Sequence, residues 1–522
     1  MVKEMVLEDK ERSIQAFNPV TNETLKQKFP VSSRTQLDET IFKADQAFQL
    51  YSKIPYASRA DFLTQIGIEI NNLGDELIKT CMNETGLPEA RIIGERGRTV
   101  AQLNLFADLL RDGSWLNAKI DTSDPDRVPI PKPDIRQTQI PLGPVGVFEA
   151  SNFPLAFSAA GGDTASALAA GCTVVAKSHS GHPGTSSLIA KAISKAIKVT
   201  EMPEGTFSLV HGPGIEVGMD MVNHPLIKAI GFTGSYSGGK TLFDAAADRP
   251  DPIPVFAEMG SVNPVFVLPE ATKLGEEIAA KLVDSIVLGT GQFCTNPGMI
   301  IVQDSVDAVV FKNELRKRVG GVKESTMLSQ RIKNSFEEGV ARCSNAPGTK
   351  ELGRGKGDGK NCQAVPVIFE TSFKSFLENK ELSEEVFGPS SLVVSTKEKR
   401  EMIELAKELS GHLTVTVFGT KKDLSENADL LSILEKKTGR LILNGVPTGV
   451  EVCHAMVHGG PFPATTDART SSVGTTAIYR FTRPICFQNF PNEILPEELK
   501  NENPLGIMRL LNGELTVNKW YE

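Results

Sequence analysis

The sequence predicts an α/β protein with two doubly wound parallel-sheet domains, and three observations support this prediction. The chain has 522 residues, too many for one hydrophobic core and enough for about two or three domains. Short apolar segments alternate with helical patterns from residue 145 onward, as expected for parallel βαβ units with helices on both faces. With 40% hydrophobic and 23% charged residues, the composition is that of an ordinary globular protein.

The first part of the chain is predicted to form a helical layer. Apolar residues recur three and four positions apart in segments 38–54, 58–86 and 94–112, which is the spacing of an amphipathic helix. Residues 121–144 are instead rich in proline and aspartate. This composition indicates an extended arm or edge hairpin, suited to reach a second subunit.

Two series of apolar segments then predict the strands of two sheets. The first series comprises 145–150, 172–177, 206–212, 226–234 and 253–260. The second series comprises 263–270, 299–303, 364–370, 390–396, 412–419 and 440–445. The two series meet near residue 260, where we expect one α/β domain to pass into the other.

Charge, apolar runs and cysteine pattern argue against several classes of protein. The net charge is -8 and no basic tract is present, so a nucleic-acid partner is not expected. The longest apolar run, 155–176, is interrupted by Asp163, so no membrane span is predicted. The N-terminus lacks the apolar core of a signal peptide, and seven cysteines without a CxxC pair fit a reducing cytoplasm. Cys453, His454 and His458 are close in sequence but lack a fourth ligand, so no metal site is predicted.

Three residues are candidates for covalent catalysis. Cys294 lies in GTGQFCTNPG, among glycines and small polar residues, which suits a reactive thiolate better than a buried structural thiol. Glu258 ends an apolar strand beside a glycine, a costly position for a carboxylate without a function. Asn152, in EASNFPL, is either a turn residue or a donor to an oxyanion.

A glycine-rich turn and a lysine are candidates for phosphate or ribose binding. The turn GFTGSYSGGK, with Gly234 and Gly239, follows a strand and opens a helix whose free N–H groups suit a pyrophosphate. Ser235 is positioned to cap that helix. Lys177 ends the strand CTVVAK. The alternative interpretation is an ordinary turn and a solvated strand terminus.

These motifs occur in the order of one family, and the sequence resembles the aldehyde dehydrogenase superfamily over nearly its whole length. The resemblance is carried by ASNFPLAF, VVAKSHSGHPGTS, GFTGSYSGG, AEMGSVNP, GQFCTNPG and EEVFGP. The separation of Glu258 and Cys294, 294 − 258 = 36 positions, is also close to that of the family. The resemblance implies an aldehyde dehydrogenase-like fold with a cofactor domain, a catalytic domain and an oligomerisation arm.

The resemblance also suggests how the chain is divided. Residues 1–126 and 145–257 are assigned to the cofactor domain, and 258–459 to the catalytic domain. Residues 127–144 and 460–522 are assigned to an arm and a tail that make subunit contacts. A cytoplasmic homodimer or homotetramer is therefore expected.

The reaction implied by the resemblance is oxidation of an aldehyde to a carboxylate with NAD(P)+. Cys294 attacks the aldehyde carbon to give a thiohemiacetal, and Asn152 holds the oxyanion. After hydride transfer to the cofactor, Glu258 activates the water that hydrolyses the thioester. The residues implied in cofactor binding are Lys177 and Glu385 at the riboses, Gly234, Ser235 and Gly239 at the pyrophosphate, and Phe387 at the nicotinamide.

Cofactor preference depends on the position three residues after the lysine. Many NAD-preferring members carry a glutamate there, whereas this chain has Ser180. Such a carboxylate binds the ribose 2′-hydroxyl and repels a 2′-phosphate, so its absence slightly favours NADP over NAD. Lys177, His179 and Ser180 are the residues expected near the phosphate.

The motifs GQFCTNPG, EMGSVNPVFVLPE and HGGPFPATTDARTSSVG resemble the 2,5-dioxovalerate (α-ketoglutarate semialdehyde) dehydrogenase branch. The carboxylate of that substrate requires a cation, preferably a guanidinium, and Arg98 and Arg469 are the candidates. A structural salt bridge is the alternative role for each. The alternative substrate is a medium- or long-chain fatty aldehyde used with NADP. The non-redox alternatives are an inactive structural relative and a cysteine hydrolase, which needs a base within hydrogen-bond reach of Cys294.

Overall fold

The structure is a computed structural model that describes residues 12–520, so the first eleven residues of the predicted cofactor domain lie outside the described part. The helical layer consists of Arg34–Tyr51, Tyr56–Asn72, Gly74–Thr85 and Glu89–Asp112. The predicted segment 58–86 forms two helices because Gly74 has φ 53°, a left-handed conformation that favours glycine. None of the helices in residues 12–520 is long and apolar enough to cross a membrane.

The first parallel sheet has five strands. In spatial order they are Val255–Glu258, Ala229–Thr233, Val145–Phe148, Val174–Lys177 and Phe207–Val210. The accompanying helices are Gly162–Ala170, Pro183–Val199, Met219–Asn223 and Tyr236–Ala247. The strand order changes direction between Val145–Phe148 and Ala229–Thr233, and ligands of doubly wound sheets bind at the carboxyl ends of strands at such a switch point.

The second sheet has seven strands, of which six are parallel. In spatial order they are Thr349–Arg354, Val367–Ser372, Ser390–Thr396, Met299–Gln303, Pro264–Val267, His412–Phe418 and Thr438–Leu443. Its helices are Gly275–Val287, Val306–Val319, Gln330–Asn345, Phe373–Glu378, Lys399–Glu408, Lys421–Glu426 and Ala428–Leu434. The antiparallel edge strand Thr349–Arg354 was not predicted, because its sequence TKELGR is polar and its residues are mostly exposed.

A third sheet joins the extended segment to the C-terminal region. Its strands in spatial order are Thr482–Gln488, Ile135–Pro141, Lys119–Asp121, Arg509–Leu511 and Glu514–Thr516. Shorter strand pairs are Ser13–Ile14 with Phe29–Pro30, Phe17–Asn18 with Glu23–Thr24, and Ser325–Thr326 with Gln363–Ala364. The segments assigned to an arm and a tail are thus paired with each other within one chain.

The predicted α/β class with two parallel sheets is confirmed, and the two sheets are joined by a short connection. Glu258 ends the last strand of the first sheet, and Pro264 begins the first strand of the second. The apolar run with its single acid is a buried helix followed by a strand, as predicted. The single acid in this run, Asp163, is buried, and its carboxylate accepts a hydrogen bond from the buried Arg480, which compensates its charge.

Candidate active site

Cys294 lies in a tight loop between the helix Gly275–Val287 and the strand Met299–Gln303. Three residues just before it, Gly289, Thr290 and Gly291, have φ of 54°, 59° and 65°. A Cβ at Gly291 would overlap the backbone of Gly388. The small residues around the cysteine therefore allow a sharply turned loop to pack directly on the EEVFGP segment.

The side-chain amide of Asn263 binds the Cys294 loop through hydrogen bonds to its backbone. Its Nδ2 group donates to the carbonyl of Cys294 at 2.8 Å and to that of Asn296 at 3.0 Å. Its Oδ1 accepts from Thr414 at 2.9 Å and from Ser261 at 2.9 Å. Asn263 is fully buried, so these hydrogen bonds connect the Cys294 loop firmly to the second sheet. Asn263 lies in the AEMGSVNP motif but is not among the site residues predicted from the sequence.

Cys294, Glu258 and His458 form the catalytic cluster, a name used below for these three residues. One ligating atom from each lies within 4.8 Å of the other two. His458 Nε2 is 3.4 Å from Cys294 Sγ and 2.9 Å from Glu258 Oε1. The predicted nucleophile and base therefore lie close together. His458, which the sequence grouped with Cys453 and His454, contacts both of them.

The pKa shifts within the catalytic cluster favour the protonated form of the Cys294 thiol. Burial and the neighbouring Glu258 carboxylate raise the pKa of the Cys294 thiol well above its ordinary value. Burial alone would raise the pKa of Glu258, but His458 and hydrogen bonds from His458, Ser472 and Cys294 outweigh it and lower that pKa. These shifts favour an ionised Glu258 carboxylate beside a protonated Cys294 thiol.

A loop from the C-terminal region holds the base. Ser472 Oγ donates to Glu258 Oε2 at 2.6 Å, and the backbone of Glu258 pairs with Thr465. The amide of His458 donates to Ser471 Oγ at 2.9 Å. Residues 458–472, in HGGPFPATTDARTSSVG, therefore position both Glu258 and His458. Residues 464–466 of this loop pair with the end of the first sheet. The sequence-based division assigns them to the tail, which begins at residue 460.

Asn152 and the backbone of Cys294 supply the donors expected for an oxyanion. Asn152 Nδ2 donates to the carbonyl of Gln292, two residues before the cysteine, at 3.0 Å, and its second hydrogen has no acceptor among the residues that the structure describes. The backbone N–H of Cys294 makes no hydrogen bond within residues 12–520. One donor thus belongs to Cys294 itself and the other is held against its loop, an arrangement that suits a developing alkoxide.

The predicted pyrophosphate turn lies at the switch point of the first sheet. Gly234 follows the strand Ala229–Thr233, and Ser235 caps the helix Tyr236–Ala247 by accepting from the Gly238 amide at 3.2 Å. Gly239 is buried, and a Cβ at this position would lie only 2.7 Å from the side chain of Met259. The close packing here therefore requires glycine. The exposed start of this helix presents free N–H groups in a place where a dinucleotide phosphate fits.

Lys177 lies at the same edge of the sheet, with donor capacity left. Its Nζ donates to the carbonyl of Ser178 at 3.0 Å, and burial lowers the pKa of its ammonium group. His179 is half-buried and Ser180 is exposed in the loop that follows. These residues fit the hydroxyl groups or the phosphate of an adenosine ribose.

Glu149 supports this loop and was not identified from the sequence. Its Oε2 accepts from the His179 amide at 2.9 Å and from Ser186 Oγ at 2.5 Å. Burial raises the pKa of Glu149 to about 7. The carboxyl group thus ties the loop after Lys177 to the helix Pro183–Val199.

Glu385 and Phe387 lie across the cleft, beside the nucleophile loop. Both line a small cavity together with Gly291 and Phe293. A Cβ at Gly260 would overlap the Glu385 carboxylate, so the glycine after the general base leaves room for this acid. Burial raises the pKa of Glu385 to about 7. The structure therefore brings both residues toward the catalytic cluster.

The two candidate arginines lie in different environments. The guanidinium of Arg98 lies over the rings of Phe157 and Phe153, at 5.2 Å and 5.8 Å from their centroids, and its NH1 is buried without a hydrogen-bond partner. Burial lowers the pKa of Arg98, and the neighbouring Glu95, followed by Cys294 and Glu258, opposes this shift. Arg469 is exposed and paired with Asp467 at 2.8 Å. Arg98 is thus placed beside the catalytic cluster, whereas Arg469 has its own partner.

Comparison with known proteins gives relatives along nearly the whole chain. A model of the aldehyde dehydrogenase family matches residues 6–463. Alpha-ketoglutaric semialdehyde dehydrogenase 2 of Azospirillum brasilense is 47% identical over 504 residues, which cover 96% of each chain. The alpha-ketoglutaric semialdehyde dehydrogenase of Acinetobacter baylyi is 46% identical over 508 residues, covering 97% of this chain and 96% of that protein.

Solved structures give the same result for the fold. Glyceraldehyde-3-phosphate dehydrogenase GapN of Methanocaldococcus jannaschii, complexed with NADP, has a TM-score of 0.78 at 23% identity, covering 92% of this chain and 99% of that chain. Lactaldehyde dehydrogenase of Escherichia coli has a TM-score of 0.79 at 23% identity, covering 92% and 96%. With its sheets, its catalytic cluster and its full-length relatives in agreement, the chain belongs to the aldehyde dehydrogenase family.

Proposed function

We propose that this enzyme oxidises 2,5-dioxopentanoate, the semialdehyde of 2-oxoglutarate, to 2-oxoglutarate with NAD(P)+. The observation that carries the proposal is the buried, unpartnered N–H of Arg98 beside the catalytic cluster. The two relatives at 46% and 47% identity, named for the same substrate, support it. Arg98 would bind the carboxylate of the substrate while Cys294 attacks the aldehyde at the other end.

The surroundings of Arg98 leave its charge available for a substrate. Glu95, one helical turn earlier, is already engaged by Arg91 at 2.5 Å and by the amides of Leu155 and Ala156, each at 2.9 Å. A buried guanidinium N–H group without a hydrogen-bond partner is costly, so an anionic substrate that accepts from it would relieve that cost. A fork of N–H donors also matches the geometry of a carboxylate.

We infer that His458 takes the proton of the Cys294 thiol as the sulfur attacks the aldehyde carbon. Its Nε2 is 3.4 Å from Sγ, and the Glu258 carboxylate at 2.9 Å stabilises the imidazolium that results. The attack gives a thiohemiacetal whose oxyanion accepts from Asn152 Nδ2 and the Cys294 amide. Each such donor contributes about 3 kcal/mol in comparable sites.

The cofactor would be held by Lys177, Ser235 and Glu385, and when bound it supplies the hydride acceptor that turns the thiohemiacetal into a thioester. Glu258 then accepts a proton from the attacking water, and Cys294 leaves as the thiol or thiolate. Ser472 keeps the carboxylate of Glu258 oriented for this step through its 2.6 Å hydrogen bond.

NADP is the preferred form of the cofactor in this proposal. Ser180 places no carboxylate at the exposed end of the loop after Lys177, so nothing on that loop repels a 2′-phosphate. The carboxyl group of Glu149 lies below the loop and is engaged by His179 and Ser186. Family membership supports use of NAD(P) in general, and the preference for NADP rests on Ser180 alone.

The geometry of His458 argues against a cysteine hydrolase. In a hydrolase triad the acid binds the imidazole nitrogen opposite the one that faces the nucleophile. In this protein Cys294 and Glu258 both approach Nε2, and Nδ1 is buried without a partner in residues 12–520. The base is within reach of the thiol, but the acid does not orient it as a triad requires.

Substitution of the two candidate arginines tests the substrate. Arg98→Met should raise the KM for 2,5-dioxopentanoate by about 10- to 150-fold, because a charge-assisted hydrogen bond is lost. Oxidation of decanal, which has no carboxylate, should change little. Arg469→Met is the matched control and should leave both reactions unchanged, because Arg469 is exposed and paired with Asp467.

The measurement is an initial-rate comparison of 2,5-dioxopentanoate, succinic semialdehyde and decanal with NAD+ and NADP+. A preference of the unmodified enzyme for decanal would favour the fatty aldehyde alternative. Equal losses for decanal and 2,5-dioxopentanoate in Arg98→Met would show that Arg98 has a structural role only.

We also propose that the enzyme is a homodimer or homotetramer, as expected from the arm and tail. The exposed apolar residues of these segments support this, among them Val128 at 87% and Ile130 at 67% exposure. Light scattering at micromolar concentration tests it, and a monomer there would contradict the proposal.

A further inference from the structure

The catalytic cluster brings three metal-binding atoms of different chemical types to one buried point. Cys294 Sγ, His458 Nε2 and a carboxylate oxygen of Glu258 all lie within 4.8 Å of one another. A single imidazole nitrogen carries either one hydrogen or one lone pair, so Nε2 cannot satisfy the sulfur and the carboxylate at the same time. A cation between the three atoms would satisfy all of them.

We propose that the catalytic cluster binds Zn²⁺, and related thiophilic divalent ions, and that the bound ion holds the enzyme in a reversible inactive state. This inference concerns Cys294, Glu258 and His458 alone and does not depend on which aldehyde the enzyme oxidises.

The distances within the cluster suit a zinc ion after small side-chain movements. Tetrahedral zinc with Zn–S of about 2.3 Å and Zn–N and Zn–O of about 2.1 Å separates sulfur and nitrogen by about 3.6 Å, and nitrogen and oxygen by about 3.4 Å. The corresponding separations are 3.4 Å for Cys294 and His458, and 2.9 Å for His458 and Glu258. These two pairs have to move apart by only a few tenths of an ångström, and the sulfur and the carboxylate oxygen lie within 4.8 Å of each other.

Charge balance in the buried cluster also favours a divalent ion. Glu258 and His458 are each 1% exposed, so an added charge there requires a compensating charge. Zinc binding releases the thiol proton to solvent, and one thiolate, one carboxylate and one neutral imidazole then surround a charge of +2. The site becomes electrically neutral, and no oxidant or reductant is needed.

The chemistry of the ligands selects among metals. Thiolate and imidazole favour Zn²⁺, Cd²⁺ and Co²⁺ over Mg²⁺ and Ca²⁺, which prefer sites made of oxygen ligands. Three protein ligands leave a fourth position for water. Because the nucleophilic sulfur is engaged by the metal, it cannot attack an aldehyde, and a chelator that removes the ion should restore the activity.

Cobalt spectroscopy tests the site directly. Addition of Co²⁺ to the full-length apoenzyme should give one equivalent of bound metal with a sulfur-to-cobalt charge-transfer band. Cys294→Ala should lose the band, and His458→Asn should weaken binding by about 100-fold or more, the order expected when one of three ligands is lost. The control is the double variant Cys453→Ser with His454→Asn. It should bind like the unmodified enzyme, because the cluster uses neither residue.

Protection of the thiol provides a second measurement that needs no variant. Zn²⁺ should slow the alkylation of Cys294 by iodoacetamide, as located by peptide mass spectrometry, and EDTA should restore both alkylation and dehydrogenase activity. Mg²⁺ at the same concentration should have no effect. Unchanged alkylation of Cys294 with Zn²⁺ present, or equal Co²⁺ affinity in His458→Asn, would overturn the proposal.

Discussion

The catalytic cluster and the cofactor edge, defined as Lys177, Ser235 and Glu385, differ in how far their groups are held by side chains from distant segments of the chain. Glu258 is engaged by Ser472 at 2.6 Å and contacted by His458 at 2.9 Å, and is 1% exposed. At the cofactor edge, Lys177 donates to the carbonyl of Ser178 and to no other group in the described part of the chain, and Ser235 caps a helix whose first turn is exposed.

This difference reflects two physical tasks. A reaction centre has to keep its groups in place before the substrate arrives, because reorganisation during the reaction raises the barrier. A binding edge has to keep donors and acceptors free for the ligand. We therefore expect changes in the catalytic cluster to lower kcat, and changes at the cofactor edge to alter cofactor affinity.

The largest effect is expected from Glu258→Gln. Without the carboxylate, water is not activated, so the thioester should accumulate and steady-state turnover should fall by about 10²- to 10⁴-fold. Rapid mixing should show a burst of about one reduced cofactor per active site, followed by slow turnover. Ser472→Ala is the matched control, since it keeps the carboxylate and removes only its hydrogen bond. Absence of any burst would show that the step slowed most by the substitution precedes hydride transfer, and would contradict the role of Glu258 in thioester hydrolysis.

An intermediate effect is expected from Ser180→Glu at the loop after Lys177. The new carboxylate would face the 2′-phosphate, and a like-charge contact of several kcal/mol should weaken NADP+ binding by about 100-fold. NAD+ binding should be unchanged or stronger, as measured by titration calorimetry. Ser180→Gln, which has the same shape without the charge, controls for sterics. Equal losses for NAD+ and NADP+ would show that the adenosine ribose does not bind at this loop.

The smallest effect is a pH dependence that arises from Glu385. Because burial raises the pKa of Glu385 to about 7, its carboxyl group is protonated at pH 6 and ionised at pH 8. If the carboxylate accepts from the cofactor ribose, cofactor affinity should fall by about tenfold from pH 8 to pH 6, in proportion to the ionised fraction. Calorimetric titration of the cofactor at both values provides the measurement.

Two variants distinguish Glu385 from Glu149, since burial raises the pKa of Glu149 to about 7 as well. Glu385→Gln should remove the pH dependence of cofactor affinity. Glu149→Gln should retain it, because Glu149 Oε2 is engaged by the His179 amide and Ser186 within the protein. A pH dependence that persists in Glu385→Gln would contradict the assignment.

Much of the fold could be predicted because buried parallel strands appear in the sequence as short apolar runs. The strands Met299–Gln303 and Ser390–Thr396 have the bounds that the sequence predicts. The edge strand Thr349–Arg354 could not be found in this way, because an exposed polar strand has no such run. Its place depends on pairing with Val367–Ser372, a contact that local sequence does not show.

The site was predictable to the extent that each residue lay in a recognisable local motif. Cys294, Glu258 and Asn152 are identified in this way, and the structure brings the first two into one cluster. His458 was not predicted to contact them, because 200 positions (458 − 258) separate it from Glu258. Its apparent partners, Cys453 and His454, are neighbours in sequence and not members of the cluster.

The sequence by itself determined the α/β class, the two strand series, the order of the motifs and the chemical types of nucleophile and base, since these properties reside in local patterns. Only the tertiary structure decided that the thiol rests protonated, that His458 lies between Cys294 and Glu258, and that Arg98 is beside the site while Arg469 is paired elsewhere. Proton affinity and partnership depend on burial and on contacts between distant segments. The chain acquires those contacts only when its two sheets and the C-terminal loop pack together.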